Sequence, residues 1–90
     1  MKKKNYVYIL KCSDGTFYTD WTTDIEARVN THNSGSGAKY TRGRRPVSLA
    51  YYEELPDRSA ALKREAAIKR LPRNKKLELI ASNPARPCKG

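Results

Sequence analysis

The sequence predicts a single α+β domain with the element order β-β-α-β-α-α. Two strand-like segments, one on each side of Asp14-Gly15, are typical of a β-hairpin. Two later stretches have apolar residues at helical spacing. The first should start at Asp24, after a capping box of Thr23 and Glu26, and end near Asn33, and the second should extend to Leu71 after a cap at Asp57 or Ser59. The β-rich stretch between them, Val47–Leu55, is the predicted third strand, and alternation there would put Leu49 and Tyr51 on one side. A last short helix follows Pro72.

The register of the first hairpin decides which way its tyrosines point. A two-residue turn at the Asp-Gly pair would leave Tyr8 and Tyr18 on opposite faces of the sheet. A three-residue loop, with Gly15 in a left-handed bulge position, would pair Tyr8 with Asp20 and put both tyrosines on one face. We favour this second register because it collects the aliphatic side chains of the first strand on the opposite face. Those side chains are Val7 and Ile9.

Size and charge restrict the classes of function. The chain of 90 residues has 19 Lys and Arg against 9 acidic residues, a formal charge of +10. Residues 1–82 are predicted to form the one domain and residues 83–90 a flexible tail. Excess positive charge favours nucleic acid as the partner, and the longest apolar run, Val7–Leu10, is too short to span a membrane. We expect a cytoplasmic monomer without membrane association, and no feature indicates a protein partner.

The first predicted helix carries two polar residues on its apolar stripe. At about 100° per residue, Arg28 and His32 share the face of Ile25 and Val29. The apolar pair must face the sheet, so it takes Arg28 and His32 towards the sheet as well. A partly buried arginine needs an anion, which either an acid of the chain or a ligand must supply.

The segment from Ser36 to Pro46 is rich in glycine and positive charge. Such side chains on a pliable backbone can follow a phosphate chain, and an aromatic ring among them can stack on a base. A solvated loop without a partner has the same composition, so both interpretations stay open. The candidate nucleic-acid-binding residues are Lys39, Tyr40, Arg42, Arg44 and Arg45.

Glu65 lies at an unexpected position in the second long helix. The spacing of Ala61, Leu62 and Ile68 defines the buried face of this helix, and Glu65 falls in the middle of that face. An unpaired carboxylate in such a place would be strongly destabilising, so a cation, a hydrogen-bond network or a metal ion must neutralise it.

Taken together, these residues resemble a known family, the GIY-YIG nuclease superfamily, and most closely its small stand-alone bacterial branch, the YhbQ-like proteins. Tyr6-Val7-Tyr8 stands where that family has its first triplet, and Tyr18-Thr19-Asp20 where it has its second. Arg28, His32 and Glu65 follow at family-like intervals. The segments HNSGSGAKYTRGRRPV and REAAIKRL occur in the expected order, and the resemblance extends from residue 6 to about residue 80.

The resemblance implies a three-stranded antiparallel sheet flanked by helices and an endonuclease that hydrolyses phosphodiester bonds in DNA, including branched or non-regular structures. It implies one divalent cation, Mg²⁺ or Mn²⁺, held by Glu65, and a phosphate braced by Arg28. Tyr8 would be the general base or would orient the attacking water, and Tyr18 and His32 would complete proton transfer and substrate positioning. A tyrosine base requires Arg28 and the metal to favour its phenolate.

The sequence departs from the family pattern at two places. Asp20 stands where the second triplet ends in glycine, and its carboxylate beside Tyr8 is expected to disfavour a phenolate and weaken cleavage. The alternative is that Asp20 joins Glu65 on the metal. The family's downstream asparagine has no match, because neither Asn74 nor Asn83 lies at a convincing interval. A non-catalytic nucleic-acid-binding module on the same fold is therefore the alternative function.

Overall fold

The computed structural model describes residues 4–82, and its elements follow the predicted order with one addition. The strands are β1 (Asn5–Lys11), β2 (Phe17–Thr22) and β3 (Ser48–Leu55). The helices are α1 (Ile25–Asn33), α2 (Lys39–Arg42), α3 (Arg58–Lys69) and α4 (Arg73–Ser82). The short helix α2 is the addition, since it lies in the segment predicted to be a loop. The predicted flexible tail, residues 83–90, lies outside the described residues.

The sheet is antiparallel throughout and has the order β2-β1-β3. The favoured hairpin register is confirmed, because Tyr8 pairs with Asp20. The amide of Cys12 donates to the Thr16 carbonyl at 2.8 Å and closes a three-residue loop. Gly15 has a φ of +86°, the left-handed conformation that this loop requires.

Each face of the sheet has its own apolar cluster. Val7 and Ile9 are fully buried on one face, where they pack with Ile68 of α3. Tyr8 and Leu10 are fully buried on the other face, in a second cluster. The partly buried residues packed against that second cluster are Tyr18, Val29 and Leu49. Helices α3 and α1 therefore lie on opposite sides of the sheet.

A bulge in β3 breaks the predicted alternation. Ile9 pairs with Tyr51 but the next residue, Leu10, pairs with Leu49, so Ala50 is an extra residue in β3. The expectation that Leu49 and Tyr51 share a face is therefore wrong. Leu49 packs in the cluster of Tyr8, whereas Tyr51 is buried with Val7 and Ile9.

Helices α1 and α3 begin at side-chain caps, but the predicted cap of α1, Thr23, is wrong. Asp24 accepts a hydrogen bond from the Ala27 amide at 3.1 Å, so it is the cap of α1 and the helix starts one residue later than predicted. Asp57 caps α3 in the same way. Leu62 is 41% exposed and not buried as predicted, because it lies at the margin of the α3 face. Within residues 4–82, no helix has the length and apolar character needed to cross a bilayer.

Candidate active site

A chain of buried hydrogen bonds joins β1 to α1 and α2. The hydroxyl of Tyr8 lies 3.2 Å from Nε2 of His32. The other ring nitrogen, Nδ1, lies 2.8 Å from Oγ1 of Thr41. Thr41 in turn donates to the carbonyl of Ala38 at 2.9 Å. His32 is 1% exposed, and Tyr8 and Thr41 are fully buried, so the three side chains are shielded from bulk solvent.

The second tyrosine lies beside this chain on the same face of the sheet. The Tyr18 hydroxyl donates to Oδ2 of Asp20 at 3.0 Å. Its ring packs edge-on against His32, with centroids 5.4 Å apart, and stacks on the ring of Tyr40 at 5.7 Å. The other Asp20 oxygen accepts the Trp21 amide at 2.8 Å. Asp20 is therefore held in one orientation, towards the two tyrosines.

Glu65 meets the same group from α3. Its side chain is only 14% exposed, and Lys69 lies 3.1 Å from Oε2. Burial, then a hydrogen bond with the Asp20 carboxyl, raises the pKa of Glu65, while Lys69 lowers it. The neutralising partner that the sequence required is thus Lys69, a cation of the same helix, whereas the Asp20 carboxyl opposes the ionisation of Glu65.

Arg28 reaches the site from its solvent side. The expected partial burial is wrong, since Arg28 is exposed, and within residues 4–82 it forms no ion pair. Its positive charge nevertheless lowers the pKa values of Tyr8, Tyr18 and His32. A guanidinium that acts on all three and remains open to solvent is available for an anionic ligand.

Burial decides the protonation of the phenols and the imidazole. Burial, followed by the charge of Asp20, raises the pKa of Tyr8 far above its ordinary 10.0, and Arg28 only partly opposes this. The same two causes raise the pKa of Tyr18. Arg28 alone therefore does not favour a Tyr8 phenolate. Burial and then Arg28 lower the pKa of His32, which keeps its imidazole neutral at physiological pH.

The basic segment, defined as residues 36–46, makes more contacts with the rest of the protein than a solvated loop would. Arg44 lies 4.0 Å over the Tyr40 ring and its Nε donates to Asp14 at 3.1 Å. Arg45 donates to the carbonyls of Arg42 and Asn33. These contacts hold both arginines against the protein. Lys39 and Arg42 are exposed and have no ion-pair partner in residues 4–82.

The donor set suits a hard divalent cation. Residues 4–82 contain no cluster of three or more histidine, cysteine or acidic side chains. They do contain the carboxyl groups of Asp20 and Glu65, which lie near enough for Asp20 to raise the pKa of Glu65. Two carboxylates with the remaining positions filled by water are a usual set for Mg²⁺.

Sequence reasoning missed Thr41 and Gly37. Thr41 is fully buried in a stretch whose neighbours are charged, and that composition gives no signal of burial. A Cβ at Gly37 would lie 2.8 Å from the Cα of His32, so a glycine is needed for this close approach. The spacing of either residue from His32 carries no pattern that would have found it.

The fold and the site together define a class: a small α+β domain in which phenol, imidazole, guanidinium and carboxyl groups gather around the edge strand β2. The family model of the GIY-YIG catalytic domain matches residues 4–78. The chain therefore belongs to the GIY-YIG family, a nuclease-like superfamily, and the resemblance found in the sequence is confirmed.

Relatives and solved structures agree with this membership. A UPF0213 protein of Syntrophus aciditrophicus is 58% identical over 84 residues, which cover 92% of this chain and 97% of the relative. A UPF0213 protein of Clostridium perfringens is 56% identical, covering 87% and 84%. The solution NMR structure of a UPF0213 protein from Bacillus halodurans is 46% identical, with a TM-score of 0.57 and coverage of 87% and 83%. That of an E. faecalis protein is 46% identical, with a TM-score of 0.62 and coverage of 90% and 86%. The predicted fold class is confirmed.

Proposed function

We propose that the protein is a divalent-metal-dependent endonuclease that hydrolyses phosphodiester bonds in DNA, including branched or non-regular structures, in the cytoplasm. One observation carries the proposal: a buried Tyr8-His32 pair, an exposed Arg28 and the carboxyl groups of Asp20 and Glu65 come from four separate elements to one place. A structural salt bridge or a satisfied core histidine explains any one of these residues but not their convergence.

Phosphodiester hydrolysis needs an activated water and a counter-charge for the phosphate. Arg28 supplies the counter-charge, because its guanidinium is exposed and two of its N–H groups fit two phosphate oxygens. Tyr8 accepts a proton from water as its own hydroxyl proton passes to Nε2 of His32, 3.2 Å away. This relay needs no free phenolate, which agrees with the raised pKa of Tyr8. Tyr18, whose hydroxyl donates a hydrogen bond to Asp20, helps to position the substrate.

Glu65 and Asp20 would hold the metal ion. The nearness of the two carboxyl groups, by which Asp20 raises the pKa of Glu65, supports the alternative that the sequence left open, in which Asp20 is a second ligand. A bound Mg²⁺ or Mn²⁺ would stabilise the negative charge that develops on the phosphate oxygens. Lys69, which now neutralises Glu65, would have to swing away as the ion enters.

The basic segment supplies the nucleic-acid contacts in this proposal. Lys39 and Arg42 have free charges at the surface. Arg44, Arg45 and Tyr40 contribute to the same surface and hold its shape through their contacts with Asp14, Asn33 and Tyr18. Contacts with phosphate do not depend on base sequence, which suits a domain without a dedicated sequence-reading element.

A non-catalytic nucleic-acid-binding module is the second candidate. The observation that favours it is the ion pair between Lys69 and Glu65, which occupies the oxygen that a metal would take. The raised pKa values of Tyr8 and Tyr18 beside Asp20 also favour the binding module, because they disfavour a phenolate.

Incubation of labelled junction, flap and duplex DNA with Mg²⁺ or Mn²⁺ separates the candidates. We expect products that vanish with EDTA and with Glu65→Gln, because the substitution removes the carboxylate and keeps the shape. Glu78→Gln is the matched control, since Glu78 is an exposed acid on α4 paired only with Lys75. Salt-sensitive retention of DNA without any product would support the binding module and contradict the enzyme.

Asp20→Gly tests the two roles of Asp20 separately. Loss of an oxygen ligand should weaken Mn²⁺ binding by at least about 10-fold, measured by calorimetry. Loss of the charge beside the tyrosines should raise the cleavage rate at saturating Mn²⁺. Unchanged Mn²⁺ affinity would leave Asp20 as a perturbing residue only, and an unchanged or lower saturated rate would contradict the charge argument.

A further inference from the structure

Thr41 is the one buried residue of α2, and the proposed function does not yet use it. The other side chains of this single helical turn, Lys39, Tyr40 and Arg42, are exposed. Thr41 is fully buried and its hydroxyl faces His32. A helical turn in a segment of charged residues thus places one hydroxyl group against the imidazole.

The hydrogen bonds around Thr41 determine where the protons lie. Its hydroxyl has a single proton, and the carbonyl of Ala38, 2.9 Å away, can only accept. Oγ1 must therefore accept from Nδ1 of His32, 2.8 Å away. A neutral imidazole donates from one nitrogen and accepts at the other, so Nε2 is left as an acceptor for the Tyr8 hydroxyl.

We propose that Thr41 is a positioning residue that sets the tautomer of His32, with the proton on Nδ1 and the lone pair of Nε2 directed at the Tyr8 hydroxyl. The catalytic consequence rests on the proposed function, whereas the tautomer does not. In the relay, an O–H bond of water breaks and one forms on Tyr8, while the Tyr8 O–H bond breaks and an N–H bond forms on Nε2. Thr41 keeps its own proton and accepts from Nδ1 throughout.

The residues around His32 leave little room for another arrangement of its hydrogen bonds. A side chain at Gly37 would contact the backbone of His32, so the chain before α2 lies directly against this residue. The Ala38 carbonyl accepts from both the amide and the hydroxyl of Thr41, at 3.0 and 2.9 Å, which fixes that hydroxyl in place. The opposite tautomer would leave Nδ1 and Oγ1 as two facing acceptors and would take from the Tyr8 hydroxyl the one proton acceptor that it has within residues 4–82.

Nitrogen NMR of the imidazole tests the assignment directly. The chain has one histidine, so the two ring nitrogens of ¹⁵N-labelled protein are unambiguous. At pH 8 we expect a protonated Nδ1 and an unprotonated Nε2 in the native protein and in Thr41→Ser, which keeps the hydroxyl. In Thr41→Val, which keeps the shape without the hydroxyl, we expect the Nε2-protonated form to appear. A protonated Nε2 in the native protein, or an unchanged tautomer in a folded Thr41→Val, would overturn the proposal.

The kinetic constants kcat and KM provide a second measurement, which would not respond in this way if Thr41 had a purely structural role. If DNA is cleaved, Thr41→Val should lower kcat by about 100-fold with little change in KM, and Thr41→Ser should restore most of the rate. A change confined to KM would overturn the positioning role. If the native protein cleaves no DNA, the proposed function fails while the tautomer result stands, so the two failures are distinguishable.

Discussion

At the scale of single residues, His32 shows how burial turns an ordinary side chain into a specialised one. The groups that face it are the hydroxyls of Tyr8 and Thr41, the ring of Tyr18, and the charge of Arg28. Burial and Arg28 disfavour the imidazolium more strongly than the charge of Asp20 favours it. The residue is thereby kept as a neutral acceptor.

This environment predicts the titration of His32. We expect the NMR titration midpoint of its imidazole to lie below the ordinary 6.5, because the folded protein favours the neutral ring. The unfolded chain then binds the proton more readily, so this contribution to the free energy of unfolding is complete above about pH 6.5. It is lost as the pH falls through the midpoint of the folded protein. A midpoint at or above 6.5 would contradict the assigned cause.

At the scale of elements, α2 gives the basic segment a shape that composition alone did not predict. Arg44 links the segment to the hairpin loop, through Nε to Asp14 and through its carbonyl to the Ser13 amide at 2.9 Å. The stacked rings of Tyr40 and Tyr18 connect it to β2. The cations of the segment are therefore divided: two arginines hold its shape, and Lys39 and Arg42 keep free charges.

The different roles of these cations predict how binding to DNA depends on salt. Lys39→Gln with Arg42→Gln should reduce the slope of log affinity against log salt by about two, since each lost phosphate contact removes about 0.9. Lys63→Gln with Arg70→Gln, which changes an exposed cation of α3 and the exposed residue that follows the helix, is the matched control with the same change in charge. Affinities for duplex DNA at several salt concentrations provide the measurement. Equal slopes in both double variants would show that general charge, and not the basic segment, governs binding.

At the scale of the whole molecule, the two faces of the sheet differ in the side chains that they bury. One cluster, around Val7, Ile9 and Ile68, contains aliphatic side chains and the ring of Tyr51. The other includes Tyr8 and continues into the hydrogen-bonded chain of the site. Arg64 anchors α3 on the first face with two hydrogen bonds to Glu53, at 2.8 and 2.9 Å. The stabilising core and the hydrogen-bonded chain of Tyr8 and His32 thus occupy opposite sides of the sheet, and α3 contributes to both regions, since it carries Ile68 in the core and Glu65 beside Asp20.

Substitutions in α3 should reveal this separation. Ile68→Ala removes a fully buried side chain, and we expect a loss of about 2–5 kcal/mol in the free energy of unfolding, measured with urea. Leu62→Ala removes a side chain of the same size from the same helix, but it is 41% exposed, so the loss should be below about 1 kcal/mol. The His32 tautomer should be unchanged in both folded variants. Similar losses would mean that the two positions are equally packed.

Local chemistry by itself determined much of this protein. A glycine at the left-handed position suited the favoured hairpin register, the carboxylate of Asp57 capped α3, and triplets and spacing indicated the family. Each of these depends on a few neighbouring residues and their backbone preferences. Register predicted that Tyr8 and Tyr18 share a face, and helical periodicity predicted that His32 faces the sheet; the family resemblance implied that they meet.

Only the tertiary structure decided the remaining features of the site. The extra residue Ala50 reversed the faces of β3, and the hydroxyl of Thr41 was buried against His32. The Asp20 and Glu65 carboxyl groups met across two elements 45 positions apart in the sequence. These contacts join segments whose approach is set by packing over the whole sheet, and no local pattern encodes such distances.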